Sequence, residues 1–388
     1  MRKLFQFEIS ENRIFGLDLL RFIAIFMVLL GHSLILAPEW FDKLINPYLF
    51  DGVAIFFVLS GFLIGGILIK ILNKEKPSVP VLLDFWKRRW MRTLPVYLFV
   101  LLLLLSYTLL FYPRNFPDEW YRFFFFTQNI LGHVRPGFFA EAWSLSIEEW
   151  FYLTVPLILI TLLMVFKSSV KWTIFAVSIA IIALVTYYRY HLYHSWGMVE
   201  NPNPYQLKLF KKFLSSGIDY QVIPRLDSIM YGVLAAFFAY YYPKLWNAKW
   251  NKLLIFVCLF LLYYSKFQMG KSWGPFSNIW CPSLKSLGIF FLLPVLSNWR
   301  QGFGNWTKWV TFFSLISYSM YLVNLNVVTI AIIKHSIHGV FNNSLNQELN
   351  GYWGVDYALF WLFTISISFV LYQWIEVPFM KLRDKKRA

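Results

Sequence analysis

Apolar residues along this chain gather in unbroken runs of about twenty, separated by short polar connections, rather than alternating with polar ones. Runs of that length can cross a roughly 30 Å hydrocarbon layer as helices, whereas a barrel would need short alternating segments. Ten runs begin near Leu17, Gly52, Pro95, Phe151, Trp172, Ile229, Leu253, Ser286, Val310 and Tyr357. The stretches from Pro113 to Glu149 and from Arg189 to Arg225 are the longest connections, and neither is large enough for a separate domain. The pattern predicts an all-α, polytopic membrane helix bundle of about ten transmembrane helices. It forms one domain over 1–388 with no internal repeat and no fused soluble domain. Gly61 and Gly65 in the second run have the small-xxx-small spacing that lets helices approach closely.

Two ionisable residues break the first run, which extends from Leu17 to Ala37: Arg21 and His32. On a helix their spacing turns the chain about 20° past three full turns, so both fall on one stripe roughly 16 Å apart along the axis. Asp18, three residues before Arg21, joins that stripe as a neighbouring opposite charge. Long polar side chains at the ends of a span can snorkel to the interface. Three such groups on one face favour instead a polar path lined by the bundle interior.

Composition strengthens the membrane reading and removes others. The chain is 58% hydrophobic and only 14% charged, with a mean hydropathy of +0.53, which excludes an ordinary soluble domain. A net charge of +16 could suggest nucleic acid. However, Lys and Arg crowd the N-terminal segment, every second connection and the C-terminal tail, which is the positive-inside pattern and excludes a nucleic-acid partner. Both termini are therefore expected on the cytoplasmic side. The N-terminal run lacks a convincing small-x-small cleavage site around Ile35 and Ala37, so it stays as a span. Cys258 and Cys281, the only cysteines, are read as packing residues.

Two further constellations carry candidate chemistry. Before the third span stands Phe85-Trp86-Lys87-Arg88-Arg89-Trp90-Met91-Arg92. Lys87 and Arg88 read as a topology anchor on anionic membrane lipids. Arg89 and Arg92, three residues apart, place two guanidinium forks on one helical face, where they could clamp a phosphate or diphosphate. At the outer start of the fourth span, Trp143-Ser144-Leu145-Ser146-Ile147-Glu148-Glu149 brings two carboxylates into the membrane entrance. One reads as a helix-start charge facing the positive dipole end, and the other as a partner for His32. Arg225 and Asp227 at the sixth span, and Glu376 at the tenth, read as structural ion-pair groups. His133, His191, His194, His335 and His338 fall in or near outer connections. No metal-ligand spacing occurs and no metal is expected. A GxSxG elbow, a Walker loop and a dinucleotide fingerprint are all missing from the sequence, so the chemistry belongs to the membrane itself.

Taken together these segments resemble the acyltransferase-3 family of bacterial membrane O-acyltransferases over nearly the whole chain. Arg21 through His32 is similar to that family's basic-x10-His motif, and Arg89 with Arg92 to its Arg-x-x-Arg motif. Phe56-Phe57-Val58-Leu59-Ser60-Gly61-Phe62, Trp143 to Glu149, Arg225-Leu226-Asp227, Ile316 to Leu322 and Glu376-Val377-Pro378 add to the likeness. Asn324 stands where many relatives carry a histidine.

The resemblance implies a multi-pass protein of the bacterial inner membrane that moves an acyl group, in the first instance acetyl, from cytoplasmic acyl-CoA. The acceptor would be a surface glycan, such as lipopolysaccharide O-antigen or exopolysaccharide, or a lipid-linked sugar. Acetyl-CoA would be a co-substrate, with no cofactor bound permanently. In that reading Arg89 and Arg92 hold the donor's phosphates and Arg21 guides its pantetheine arm. His32 acts as general base or as acyl acceptor, and Glu148 stabilises its imidazolium. A secondary transporter would also line a bundle with ionisable groups, but the inverted halves and paired broken spans of that class are not evident.

Overall fold

The computed structural model describes residues 13–130, 138–195, 215–271, 274–339 and 353–385, and among these there is no strand. Each apolar run is a helix: α1 Phe15–Ser33, α2 Gly52–Lys74, α3 Val79–Phe111, α4 Ala142–Phe166, α5 Val170–Ser195, α6 Leu226–Tyr241, α7 Leu254–Lys271, α8 Cys281–Asn298, α9 Trp306–Val323 and α10 Trp353–Leu371. The ninth span continues as a wide-turned π-helix over Asn324–Ile337. The tenth runs on through Tyr372–Glu376 into Val377–Lys385. Among the described residues nine helices are long and apolar enough to cross a membrane. The protein is thus an all-α, multi-pass membrane bundle. The one expected span outside these nine, α6, has 16 residues, about 24 Å of helix, and is mostly enclosed by the bundle.

That enclosure depends on glycine. α6 packs most extensively against α2. A Cβ added to Gly61 would meet the Ile229 carbonyl oxygen at 1.9 Å, and one added to Gly232 would meet that of Val58 at 2.0 Å. No larger residue fits at this crossing, as the spacing of Gly61 and Gly65 predicts. Two apolar clusters are the largest of the interior. One is built on α1, α3, α4 and α9 around Tyr97, Phe139, Met320 and Leu322, and the other on α2, α4 and α6 around Phe57, Phe151 and Phe237.

Three helix boundaries differ from the sequence pattern, each for a physical reason. α3 starts at Val79 rather than near Pro95, with Pro80 in its first turn and Pro95 inside it. The cationic block is therefore part of one long helix that projects beyond the apolar layer. α4 starts at Ala142, so Glu148 and Glu149 are its seventh and eighth residues and cap nothing. α5 continues through Arg189 to Ser195; Arg189 marks no connection, because its charge is answered inside the protein.

The answering group is Asp227. Arg189 donates to both its carboxylate oxygens at 3.2 and 2.8 Å, and also to the Pro224 carbonyl and to Ser283 Oγ. Both side chains are fully buried. Arg225, in contrast, faces Asp51 at 3.5 Å, and Lys285 meets the same carboxylate at 3.3 Å. Asp51 also caps α2 by accepting from Ala54 N–H. These pairs tie α5, α6, α8 and the start of α2 together at one end of the bundle.

Removing one partner of such a pair strands a charge in a dry interior, so Asp227→Ala should lower stability by about 3–5 kcal/mol. The double change Arg189→Leu with Asp227→Leu should cost less than the single one. Thermal unfolding of the purified protein in detergent checks both.

Candidate functional site

A chamber of about 120 Å³ lies within the bundle, lined by Arg21 of α1, Arg89 and Arg92 of α3, Glu148 of α4 and Glu376 of the tenth span, with Ser60, Tyr152, Tyr318 and Tyr321 among its other walls. Four distant segments therefore place three guanidiniums and two carboxylates around one cavity. The helical extension of α3 is what turns Arg89 and Arg92 inward, on the same face as buried Phe85 and Val96.

The carboxylates are spoken for, and the guanidiniums much less so. Ser60 Oγ and Tyr152 Oη each donate to Glu148 at 2.9 Å, one to each oxygen. Glu149, next in sequence but facing α3, accepts from Thr93 Oγ1 at 2.8 Å. Tyr318 Oη donates to the Thr93 carbonyl, which fixes that turn of α3 against α9. Ser319 donates to Glu376 at 3.4 Å. On the cationic side, Arg21 reaches Ser314 Oγ at 3.4 Å and Asp18 at only 3.7 Å. Asp18 is engaged more tightly by both ends of the Arg13 guanidinium and by Ser314 at 2.8 Å. Arg89 lies over the Phe85 ring, and its Nε is buried with no acceptor among the described residues. Forked donors held in a cavity and short of acceptors are suited to a phosphate-bearing ligand.

His32 does not line the chamber. It lies further along α1, half-buried, and its Nδ1 meets Asn324 Oδ1 at 2.5 Å. The Asn324 amide nitrogen donates to the carbonyls of Met320 and Tyr321 at 3.1 and 2.7 Å. Turned the other way, the amide would set oxygen against two oxygens, so Oδ1 faces the imidazole and Nδ1 carries the proton. Nε2 then keeps its lone pair. Tyr321, one turn before Asn324, is a wall of the chamber, its Oη 2.6 Å from Ser144 Oγ and its ring against Phe56. The imidazole is thus one helical turn of α9 from the chamber wall.

Arg21, Arg89 and Arg92, read from the sequence as donor-binding groups, line one chamber, and Glu148, read as a partner of His32 toward the other side, lines it as well. Glu148, the expected partner of His32, is bonded instead to Ser60 and Tyr152, and Asn324 holds the imidazole. Glu376, read as a clamp, lines the chamber. Arg13 and Glu141 are the residues that sequence reasoning missed. Glu141 accepts the backbone N–H groups of Leu325 and Asn326 where α9 widens. Arg13 stands five residues before Asp18, beyond the i+4 reach that pattern reading uses. Among the other histidines, His191 and His194 are exposed, His335 is buried beside Tyr107, and His338 pairs with Asp356 at 2.8 Å. His133 lies outside the described residues.

The fold and this chamber define a class: a multi-pass membrane protein with a cationic cavity and a tautomer-fixed histidine in its interior. The chain belongs to the acyltransferase-3 family, matching its acyltransferase domain over residues 14–377. It is similar to the O-acetyltransferase OatA of Staphylococcus aureus strain NCTC 8325 and to that of strain COL. In each case 33% of residues are identical over 186, which are 44% of this chain and 29% of the relative. The match therefore spans less than a third of the length of those relatives. No solved structure matches the chain.

The Thr93 to Glu149 bond tests how the chamber wall is held. Thr93→Val, close in shape, should lower stability by about 1–3 kcal/mol by leaving a buried carboxylate without its donor. Thr93→Ser should cost less. Thermal unfolding of the two variants in detergent separates the hydroxyl from the packing.

Proposed function

We propose that this chain is a membrane O-acyltransferase that moves an acyl group, in the first instance acetyl, from cytoplasmic acyl-CoA to a hydroxyl of an extracytoplasmic glycan. Family membership and the O-acetyltransferases it resembles support the reaction class. The observation that carries the reading is the convergence of Arg21, Arg89 and Arg92 on one interior cavity, one turn of α9 from an imidazole whose Nε2 is free. The charge pattern of the loops and the likeness to bacterial proteins support a place in the bacterial inner membrane. The acceptor class, a surface polysaccharide or a lipid-linked sugar, rests on the family resemblance alone.

In this reading Arg89 and Arg92 take the donor's phosphates from the cytoplasmic side, and Arg21 lies along the path of the pantetheine arm. The acyl end passes the Tyr321 and Phe56 wall toward His32. Nε2 removes the proton from the acceptor hydroxyl as its oxygen attacks the thioester carbonyl. Asn324 Oδ1, accepting from Nδ1, steadies the imidazolium that forms. When the carbon–sulfur bond breaks, the imidazolium returns the proton to the leaving thiolate, giving the O-acyl ester and free coenzyme A.

His32→Ala at normal membrane abundance should reduce acyl transfer by about 10²- to 10⁴-fold, the usual worth of a positioned general base. Arg89→Ala should raise the donor concentration needed for half-maximal rate, with little effect at saturation. Both are read from thiol release and acyl incorporation by purified protein given acetyl-CoA and surface glycan. Wild-type transfer by the His32 variant, or flux of an intact solute in place of thioester cleavage, would overturn the reading.

A further inference from the structure

The α9 span loses its regular helical bonding at the residue that touches His32. Asn324 is fully buried and begins the wide-turned segment, and Thr329 Oγ1 donates to its carbonyl. Where an α-helix widens, backbone N–H groups must find other acceptors, and such breaks recur at functional sites. Here the N–H groups of Leu325 and Asn326 donate to one carboxylate oxygen, Oε1 of Glu141, at 2.9 and 3.0 Å. In return Asn326 Oδ1 accepts from the Ala140 N–H at 2.7 Å. Three hydrogen bonds thus stitch residues 140–141, at the start of α4, to residues 325–326.

The stitch is built into the fold from both sides. Glu141 is 2% exposed. It follows a turn in which Phe139 takes a left-handed φ of 44° with its ring stacked on Tyr97, an arrangement that only close packing maintains in a bulky residue. One turn away, Ser144 Oγ meets Tyr321 Oη. Asn324 is therefore held on its N-terminal side through Tyr321 and on its C-terminal side through Glu141, and its Oδ1 is the group that places His32 Nδ1.

We propose that Glu141 is a positioning residue for His32. Its carboxylate holds the broken turn of α9 so that Asn324 fixes the ring orientation and the proton on Nδ1. The proposal rests on the acyl-transfer reading for its kinetic consequence. It requires the reach of the side chain rather than its charge, since Oε1 alone makes both contacts and Oε2 is buried without a partner among the described residues. A group acting by charge or by proton transfer would have the opposite requirement.

The full chain in detergent, supplied with acetyl-CoA and acceptor glycan, tests this with two substitutions. Glu141→Gln keeps the reach and removes the charge, and should stay within about threefold of wild type. Glu141→Asp keeps the charge but draws the oxygen back by about 1.5 Å. It should lower kcat on the order of 10- to 100-fold, with the donor KM unchanged. In an Asn324→Ala background, Glu141→Asp should add little, because its effect runs through Asn324.

The rate and pH midpoint of His32 carbethoxylation by diethyl pyrocarbonate, read by peptide mass spectrometry, give a measure that needs no turnover. Both should change in Glu141→Asp and remain as wild type in Glu141→Gln. A tenfold or greater loss in Glu141→Gln overturns the proposal, whether or not Glu141→Asp accumulates in the membrane. So does a full additional loss in the Asn324→Ala background. If wild type transfers no acyl group while His32 reactivity still follows the reach of residue 141, the enzymatic reading fails and the positioning role stands.

Discussion

A charge inside an apolar bundle persists only where another group answers it, and the pairing of interior charges organises this protein. Arg189 and Asp227 show the fullest case, with both terminal nitrogens of a buried guanidinium spent on a carboxylate, hydroxyls and a carbonyl. Such a pair contributes little net stability over an apolar isostere, yet it cannot be half removed. It locks the relative positions of α5, α6 and α8. Around the chamber the pairing is incomplete and lopsided. Hydroxyls bond both oxygens of Glu148 and one oxygen of Glu149, so these carboxylates are held without consuming the arginines. Arg13 does the same for Asp18, drawing it away from Arg21. The remaining donor capacity lines the cavity and suits a polyanionic ligand.

Much of this was legible in the sequence because burial in lipid imposes simple rules. The ten apolar runs are ten helices, and Arg21, Arg89, Arg92 and Glu148 stood out because each breaks or borders such a run. Helix phase put Arg89 and Arg92 on one face, and the fold turns that face inward. Arg189 was hidden by the same logic. A charge near the end of a run reads as the run's end, and only the tertiary partner Asp227 reveals that the helix continues past it.

The rest could not be read because it depends on contacts between distant segments. The sequence pattern places Glu148 and Asn324 on the same side of the bundle, and by charge alone a carboxylate is the better partner for an imidazole. Which one touches His32 is decided by the packing of α9 against α1, a relation across 292 positions of chain. Glu141 was passed over for a similar reason. It precedes its helix and looks like a loop acid, and the donors it accepts are backbone amides freed only because α9 widens at Asn324.

The choice of an amide at position 324 has a chemical consequence of its own. A carboxylate against Nδ1 would raise the basicity of the imidazole and bring a second charge into a dry region, at the cost of desolvating it. An asparagine anchored to two carbonyls offers a fixed dipole instead, selecting the tautomer without adding charge. In the proposed reaction the imidazole rests neutral and becomes charged only as it takes the acceptor's proton. In a bundle that already concentrates positive charge at the chamber below, an uncharged resting histidine avoids repulsion with Arg21 on the same helix. On that proposal the acidic groups serve structure, and proton handling falls to the one side chain whose orientation the surrounding backbone controls.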